Sequence, residues 1–593
     1  MQPCSNLVQA GNLFRENNFT ELTSDFADEV FYHNGQLQSV SCFLANNQAL
    51  KASAAYAVKL DKLFISNSKL VSCDYVLGIT QVFGNGEYAA DDRYIDTRSR
   101  RALYITFTDS NNNDKLFHRT PKLKTCRGAF SKCTFADGVA LDNNVFGGVY
   151  EKNNAGNYVT KDNSAADFPF TELQDIAYCF HDCNATIELN DKIFSRLSAL
   201  TDASAFVSGG YSNKPNNTVS YCKGVTGNIS DLSSLFYNNK GLTQVNRFFE
   251  STGITGTIPS GDTSANAASP LFINNTNLTS AEFLFKDCSI TGNVPSMLFS
   301  NCPGLKSVRG LFYNAKVSGI LPGSGNRKNQ TLFKNLKSET SEFVNLDNVS
   351  YLFANCKELS SDIPTELFIY TPSVKNISYC FYGCGDQEKT TVGITGSIPG
   401  ILLSTMSELT DASYMFAGCW NLTAENELTN LFVPNELFKN NTRITTLQGL
   451  FMNVPVKKVA EGVFSDLSKL TDVSYMFSNS DRSGLELPAS SFVNNTLISN
   501  ISYFMGDTIG FSLGSTSNYS APTLYQYFAP NNGEFGQHKI KSVTRAFANN
   551  PNMTGTAIPF WDTTVWPTPD NYNGCYAGCV TLTDYNSIPD SYK

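Results

Sequence analysis

The chain has 593 residues, 16% of them charged, and a formal net charge of −9 at neutral pH. This length exceeds what one compact hydrophobic core supports, so the chain forms either several domains or a repeat array. The acidic balance argues against nucleic-acid binding, which needs a basic face to neutralise phosphates, and no apolar run approaches the ~20 residues that span a bilayer.

A short apolar stripe centred on phenylalanine opens the chain and recurs along it. Relative to the reference Phe14, apolar or small residues lie at offsets −4, −1 and +3, which are Ala10, Leu13 and Asn17. These offsets share one face of a 3.6-residue helix, so the pattern predicts a short helix with one buried face. The most regular copies occupy residues 346–356, 374–384, 409–419 and 470–480. In the last copy, Thr471 or Asp472 matches helix-start chemistry.

Residues 48–118 carry this stripe less regularly. The segments 101–108 and 115–118 flank the turn-rich sequence DSNNND, which predicts a β-hairpin inserted into the array. We therefore divide the chain into irregular N-terminal repeats with an inserted hairpin, residues 1–119, and a regular repeat array with loop insertions, residues 120–593.

A second signature joins the stripe in the later part of the chain: an apolar residue, Thr or Ser, Gly, any residue, an apolar residue and then Pro, abbreviated here as TGxIP. It occurs at residues 254–259, 290–295, 317–322 and 394–399, and each copy predicts a short strand closed by proline. A second apolar pair follows the proline, as in residues 364–368, where Pro364 suits the first position of a helix. One complete unit has roughly 26 residues, a length typical of leucine-rich repeats.

Cysteine recurs at the +3 position of the stripe. Other copies hold Asn17 or Ser480 there, so the position requires a small buried residue, and free cysteine behaves as one. Three copies add a cysteine at −1, and such i, i+4 pairs could hold a metal only if neighbours supplied further ligands. We interpret the thiols as structural and expect no metal and no cofactor.

Six tyrosines lie two positions before the reference residue of their stripes. On a helix this position lies roughly opposite the buried face, so their rings should be partly exposed, and stacked repeats should align them into a row. Such a row could contact glycans or proteins, or it could simply pack one repeat on the next. The six candidates are Tyr178, Tyr351, Tyr379, Tyr414, Tyr475 and Tyr503.

The segments LTDVSYMF and LTDASYMFAGC, with the forms AFSKC and AFANN, resemble the BspA-like class of bacterial leucine-rich repeats. The TGxIP segments are similar to plant-type leucine-rich repeats. The resemblance implies a right-handed solenoid of short strands and short helices around a continuous core. It also implies adhesion and binding to host or matrix, and such repeats occur in structural proteins of viruses and phages.

The sequence shows no motif for nucleophilic, phosphate-binding or metal-dependent catalysis, so we expect no enzyme activity. We predict a non-catalytic repeat protein for adhesion or for recognition of a protein, receptor or glycan, located outside a cell or on a particle surface. The alternative is a structural or host-attachment component of a phage, virus or other assembly, with neighbouring subunits as partners. The absence of a recognisable signal peptide and of polar end caps favours this alternative. Neither hypothesis involves nucleic acid or membrane insertion.

Overall fold

The computed structural model shows stacked coils in each of two compact units. One unit comprises Met1–Thr291 and Met297–Gly304, and the other comprises Gly292–Ser296 and Leu305–Lys593. The boundary proposed from the sequence, at residues 119 and 120, stays a prediction. The structure describes residues 7–11, 18–19, 31, 34–45, 48–49, 58–59, 67–78, 104–106, 120–135, 140–141, 150–152, 158–160, 172–183, 186–188, 194, 197–209, 225–237, 239–260, 269–328, 330–333, 336, 344–389, 392–425, 428–480, 485–488, 491–492, 494–507, 540–553, 555–564 and 567–593.

Each coil contributes one residue to a ladder of parallel β-bridges, which we call the bridge column. In the first unit the column contains Gln9, Ser39, Ser72, Thr125, Asp175, Asp202, Gln244 and Ser280. In the second unit it contains Ser307, Asn348, Asn376, Asp411, Thr446, Asp472, Asn500, Ser542 and Asn571. The predicted solenoid of stacked coils is thereby confirmed at this coarse level, whereas its leucine-rich-repeat type and its right-handed sense stay predictions.

The phenylalanine stripe is a run of turns and not the predicted helix. The N–H groups of Val473, Tyr475, Phe477 and Asn479 donate to carbonyl oxygens of the next coil at 2.8 to 3.0 Å. The N–H groups of Met476 and Ser478, between them, bond three residues back within the coil, whereas an α-helix bonds four residues back. Tyr475 and Asn479 have φ angles of 59° and 49°, which no right-handed helix contains. The helix prediction is therefore wrong, because alternate N–H groups are used between coils.

Regular secondary structure is short throughout the described residues. The strands are β1 (Asn18–Phe19), β2 (Gln48–Ala49), β3 (Val58–Lys59), β4 (Tyr104–Thr106), β5 (Thr134–Phe135), β6 (Ala140–Leu141), β7 (Tyr150–Lys152), β8 (Tyr158–Thr160), β9 (Thr186–Glu188), β10 (Val225–Thr226), β11 (Phe272–Ile273), β12 (Phe299–Ser300), β13 (Ser360–Asp362), β14 (Gly393–Thr395), β15 (Leu431–Val433) and β16 (Lys458–Val459). The helices in this part of the chain are 3₁₀ turns at Ile229–Leu232, Gly325–Arg327, Tyr585–Ser587 and Asp590–Tyr592. The sheets are β1–β2, β3–β4–β5, β6–β9–β10, β7–β8, β11–β12, β13–β14 and β15–β16.

The prediction that the segment 101–108 forms one strand of an inserted β-hairpin is wrong for strand β4. Both edges of this strand pair in parallel, with β3 on one side and β5 on the other, so neither edge remains for an antiparallel partner. Residues 107–119 lie outside the described residues. An antiparallel pair does occur, between β7 and β8, where the sequence predicted none.

The TGxIP segments form strands only in part. In the copy at 394–399, strand β14 pairs with β13 in parallel, as predicted. The copy at 254–259 forms two isolated bridges, the copy at 290–295 forms one, and the copy at 317–322 forms no strand. The segment after Pro364 is also a turn, since the Leu367 N–H bonds the Pro364 carbonyl three residues back at 3.2 Å. The short helix predicted after the proline is therefore wrong.

Two columns of stacked phenylalanine rings fill the interior. In the second unit, reference phenylalanines stack with centroids 5.7 to 6.0 Å apart at Phe312, Phe353, Phe381, Phe416, Phe451 and Phe477. In the first unit, rings from the second apolar pair stack at 5.0 to 5.2 Å, at Phe194, Phe236, Phe272 and Phe299. Burying each ring contributes about 2–3 kcal/mol, so these columns are a main source of stability for each unit.

The final coil of the second unit is covered by the residues that follow it. Ser591 and Tyr592 offer their carbonyl oxygens to the N–H groups of Gly574 and Tyr576 at 3.2 and 2.7 Å. The Tyr592 side chain is only 4% exposed, and its ring stacks on Tyr572 at 4.5 Å. The expectation that the coil at Gly574 and Tyr576 carries no cap is therefore wrong, because a short 3₁₀ segment covers it.

Candidate binding surface

From Ser39 onward, each described coil of the bridge column has a residue with a left-handed backbone. This residue lies two positions before the reference residue of its coil. Its φ lies between 49° and 63°, a conformation uncommon for residues other than glycine. In most of these coils the N–H of this residue bonds the next coil, as for Tyr379 and Tyr475, so the ladder enforces the conformation there. We call these residues the tyrosine column; they are Cys42, Tyr75, Gly128, Tyr178, Ala205, Arg247, Phe283, Gly310, Tyr351, Tyr379, Tyr414, Gly449, Tyr475, Tyr503, Arg545 and Gly574.

Five of the six predicted tyrosines form two ring stacks in the second unit. Tyr379 stacks on Tyr351 at 4.5 Å and on Tyr414 at 4.8 Å, with interplanar angles of 3° and 17°. Tyr475 stacks on Tyr503 at 4.6 Å and 5°. All five side chains are half-buried. The centroid distances match the spacing of neighbouring strands, so the coil repeat itself sets the stacking. We call these five side chains the tyrosine row.

The sixth candidate, Tyr178, lies in the first unit and is buried, with 5% of its surface exposed. The Arg127 guanidinium covers its ring at 5.0 Å and bonds the carboxylates of Asp175 and Asp202 at 2.9 and 3.1 Å. The expectation of an exposed ring is wrong for Tyr178, because an arginine from the preceding coil lies over it. For Tyr503 the reference position is held by Met505 and not by phenylalanine.

Stacking decides which parts of the row remain available to a ligand. The faces of Tyr379 are covered on both sides by its neighbours. The outer ends of the row also carry cations, since Arg309 lies 5.6 Å from the Tyr351 ring and Arg545 lies 5.9 Å from the Tyr503 ring. What remains of Tyr379 are its ring edges, which carry partial positive charge, and its hydroxyl group. Burial, as the main cause, raises the pKa of Tyr414 to about 12, so its hydroxyl is a donor at neutral pH.

A polar strip formed by the bridge column runs beside the row. Oδ1 of Asp411 accepts the Ser413 N–H at 2.9 Å, and Oδ1 of Asp472 accepts the Ser474 N–H at 2.8 Å. These are Asx turns, which start the run of turns in each coil. Asp472 therefore begins a turn and does not cap a helix. The Asn500 amide joins neighbouring coils by donating to Oδ2 of Asp472 at 3.0 Å.

The described cysteines at +3 lie in the interior of their unit, where their thiols form hydrogen bonds. Sγ of Cys384 and Sγ of Cys419 donate to the reference carbonyls of their preceding coils at 2.7 and 3.0 Å, and the Ser480 hydroxyl does the same at 3.0 Å. In these three coils the position holds a small donor, which the sequence pattern did not reveal, whereas Ala315 and Val454 hold the same position without one. Burial raises the pKa of Cys384 to about 12, so the group is a thiol. Across the described ranges, no three His, Cys, Asp or Glu side chains group as metal ligands.

The comparisons with known proteins concern the fold alone. No family model and no curated protein matches the chain. Similar solved structures include the plant peptide hormone receptor RGFR1 in complex with RGF2, with a TM-score of 0.45 and 12% identity over 94% of this chain. A TDR receptor has a TM-score of 0.40 and 18% identity over 80% of this chain. This chain spans 60% and 62% of those two chains.

A third similar structure is the Arabidopsis receptor kinase HAESA in complex with the peptide hormone IDA and the co-receptor SERK1. Its TM-score is 0.30, with 14% identity over 96% of this chain and 82% of that chain. In the parts of this chain that the structure describes, no helix is long and apolar enough to cross a bilayer. The specific BspA-like assignment stays a prediction.

Proposed function

We propose that the chain is a non-catalytic recognition protein that binds a protein partner through the tyrosine row of its second unit. The observation that carries this proposal is the register of five half-buried tyrosines, whose rings stack at 4.5 to 4.8 Å within each of the two stacks. Tyrosine supplies a large, rigid contact area at low cost in conformational entropy, which suits a recognition surface.

The row is fixed before any partner arrives. Tyr379 has a φ of 57° that the inter-coil bonds impose, and its ring is held between two others. Binding therefore orders few side chains, which removes one of the main costs of association. The polar strip beside the row supplies amide and carboxylate groups in the same repeat, as expected for the polar rim of a protein interface.

A protein suits this surface better than a glycan does. Sugars that stack on aromatic residues need an open ring face, whereas the faces of Tyr379 are covered. Ring edges and hydroxyls instead favour acceptors such as main-chain carbonyls and carboxylates. We further propose that the partner lies on a cell surface, as for BspA-like adhesins, with a phage or virus component as the alternative.

The experiment compares removal of the hydroxyls with removal of the rings. The intact chain is applied to arrays of extracellular proteins and of glycans, and bound partners are retested with the variant Y351F/Y379F/Y414F. The variant keeps the stack, so we expect an unchanged melting temperature and protein binding about tenfold weaker, as for the loss of one or two hydrogen bonds. Binding to glycans alone, or equal partner affinity for this variant, overturns the proposal.

A further inference from the structure

The tyrosine row is interrupted at one coil. Gly449 takes the column position between Tyr414 and Tyr475, whose coils are separated by about 10 Å, or two strand spacings. The Tyr414 ring lies over Gly449, so that a Cβ there would be 2.2 Å from the ring. We call the space bounded by Tyr414, Gly449, Tyr475 and Asp472 the notch.

The carboxylate of Asp472 forms one wall of the notch, and no described lysine or arginine pairs with it. Asp472 lies in the bridge column of the same coil as Tyr475, and both are half-buried. Its carboxylate accepts the Ser474 N–H at 2.8 Å and the Asn500 amide at 3.0 Å, both of which are neutral donors. Among the described lysines and arginines, none forms an ion pair with Asp472. Each carboxylate oxygen therefore retains acceptor capacity.

The first unit shows what such a notch accommodates. There the column position is Gly128, the Tyr75 ring lies over it, and a Cβ at Gly128 would also be 2.2 Å from that ring. The residue before the glycine is Arg127, which bonds Asp175 at 2.9 Å and covers Tyr178 at 5.0 Å. Asp175 and Tyr178 take the bridge and column positions of the following coil, as Asp472 and Tyr475 do in the second unit.

The two notches differ in the residue that precedes the glycine and in the second bridge residue, since Arg127 also bonds Asp202 at 3.1 Å, whereas Asn500 takes the corresponding position in the second unit. In the second unit the residue before the glycine is Gln448, which carries no charge, so the place that Arg127 fills in the first unit has no guanidinium. Burial raises the pKa of Tyr414 to about 12, and the nearby Tyr475 and Asp472 add to this effect. A guanidinium suits the site better than an ammonium, because it is planar, stacks on rings and bonds a carboxylate with two donors.

We propose that the notch at Gly449 binds an arginine side chain of a protein partner, which bonds Asp472 and stacks on Tyr475 as Arg127 does on Tyr178. This proposal rests on the proposed function, since it names the side chain that the partner would present beside the row. The partner is thus a protein with an exposed arginine, and binding should weaken as ionic strength rises.

The direct test uses a fluorescently labelled peptide, Gly-Ser-Arg-Ser-Gly, and the same peptide with citrulline, which keeps the shape of arginine but lacks its charge. Anisotropy with the intact chain at low ionic strength should show the arginine peptide binding about tenfold more tightly than the citrulline peptide. D472N should lose most of this preference. The matched control D466N removes an exposed carboxylate elsewhere in the second unit and should leave it unchanged.

A second variant supplies the arginine within the chain. Q448R copies the arrangement of Arg127, so it should fold normally, occupy the notch itself and reduce peptide binding to the level of D472N. Equal affinity for the arginine and citrulline peptides, or unaltered peptide binding in both D472N and Q448R, overturns the proposal. This assay needs no natural partner, so it can fail while the tyrosine row still binds a protein.

Discussion

The thiol of Cys384 donates to the carbonyl oxygen of Phe353, the reference residue of the preceding coil, with the sulfur 2.7 Å from the oxygen. The same carbonyl also accepts the Cys356 N–H of its own coil at 3.0 Å. The cysteine therefore satisfies the second lone pair of a buried carbonyl. This bond links the two coils and explains why serine can replace cysteine at this position, as at Ser480.

The first prediction concerns this bond. C384A removes the donor and leaves the Phe353 carbonyl with one partner, so it should lower the free energy of unfolding of the second unit by about 1–2 kcal/mol. C384S keeps a donor and should cost clearly less. Urea unfolding followed by circular dichroism compares the two variants, and equal stability of both would contradict the role assigned to the thiol.

The second prediction concerns the left-handed column. G449A places a Cβ 2.2 Å from the Tyr414 ring at a φ of 61°, so it should destabilise the second unit by about 1–2 kcal/mol. G449Y should cost less than G449A, because the added ring can stack between Tyr414 and Tyr475 once Tyr414 moves aside. Thermal unfolding measures both variants. An alanine variant as stable as the natural chain would show that Gly449 is not constrained.

The third prediction is a pH dependence of the first unit. Burial lowers the pKa of His181 to about 4; Lys132 and Arg247 add to this effect, and Asp182 opposes it. Since the folded pKa lies below the unfolded value of about 6.5, protonation favours the unfolded state. The stability due to neutral His181 is complete above pH 6.5 and is lost as the pH falls towards 4, by up to about 3 kcal/mol.

The variant H181Q tests this pH dependence. Glutamine keeps a polar side chain beside the Ser208 hydroxyl, which lies 2.6 Å from Nδ1 of His181, but it does not titrate. The unfolding free energy of the natural chain should fall more steeply between pH 6.5 and 4 than that of H181Q. Parallel curves for the two proteins would show that His181 does not titrate as described.

The fourth prediction concerns the segment that covers the final coil. Y592A removes a buried ring that stacks on Tyr572, so it should destabilise the second unit by about 3 kcal/mol. Loosening of this segment also exposes the N–H groups of Gly574 and Tyr576 as an unpaired edge, which favours association between chains. The control S591A alters an exposed side chain and should change neither property. Sedimentation velocity and thermal unfolding together decide the outcome.

The repeat could be predicted from the sequence because its buried residues recur at fixed offsets. Those offsets suit a helix, yet the turns of this structure also bury positions such as Val473, Met476 and Phe477. The residue two positions after the reference residue distinguishes these turns from a helix. Gly383, Gly418 and Asn479 hold that place with positive φ, and glycine and asparagine are the residues that tolerate it best.

The candidate site was only partly predictable. The tyrosine column follows from the repeat, so Tyr351, Tyr379 and Tyr414 were found by their spacing. The burial of Tyr178 depends on Arg127, which lies in the preceding coil but far away in the sequence, so no local pattern revealed it. Predicting the notch at Gly449 required knowing which coils are neighbours, and only the bridge ladder gives this register.

The most direct test of the account is the affinity of a bound protein partner for the natural chain and for Y351F/Y379F/Y414F, measured by surface plasmon resonance. The account predicts binding about tenfold weaker in the variant, at an unchanged melting temperature, because hydroxyls are lost and the stack is kept. Unchanged affinity would show that the tyrosine row only packs coil on coil and takes no part in recognition.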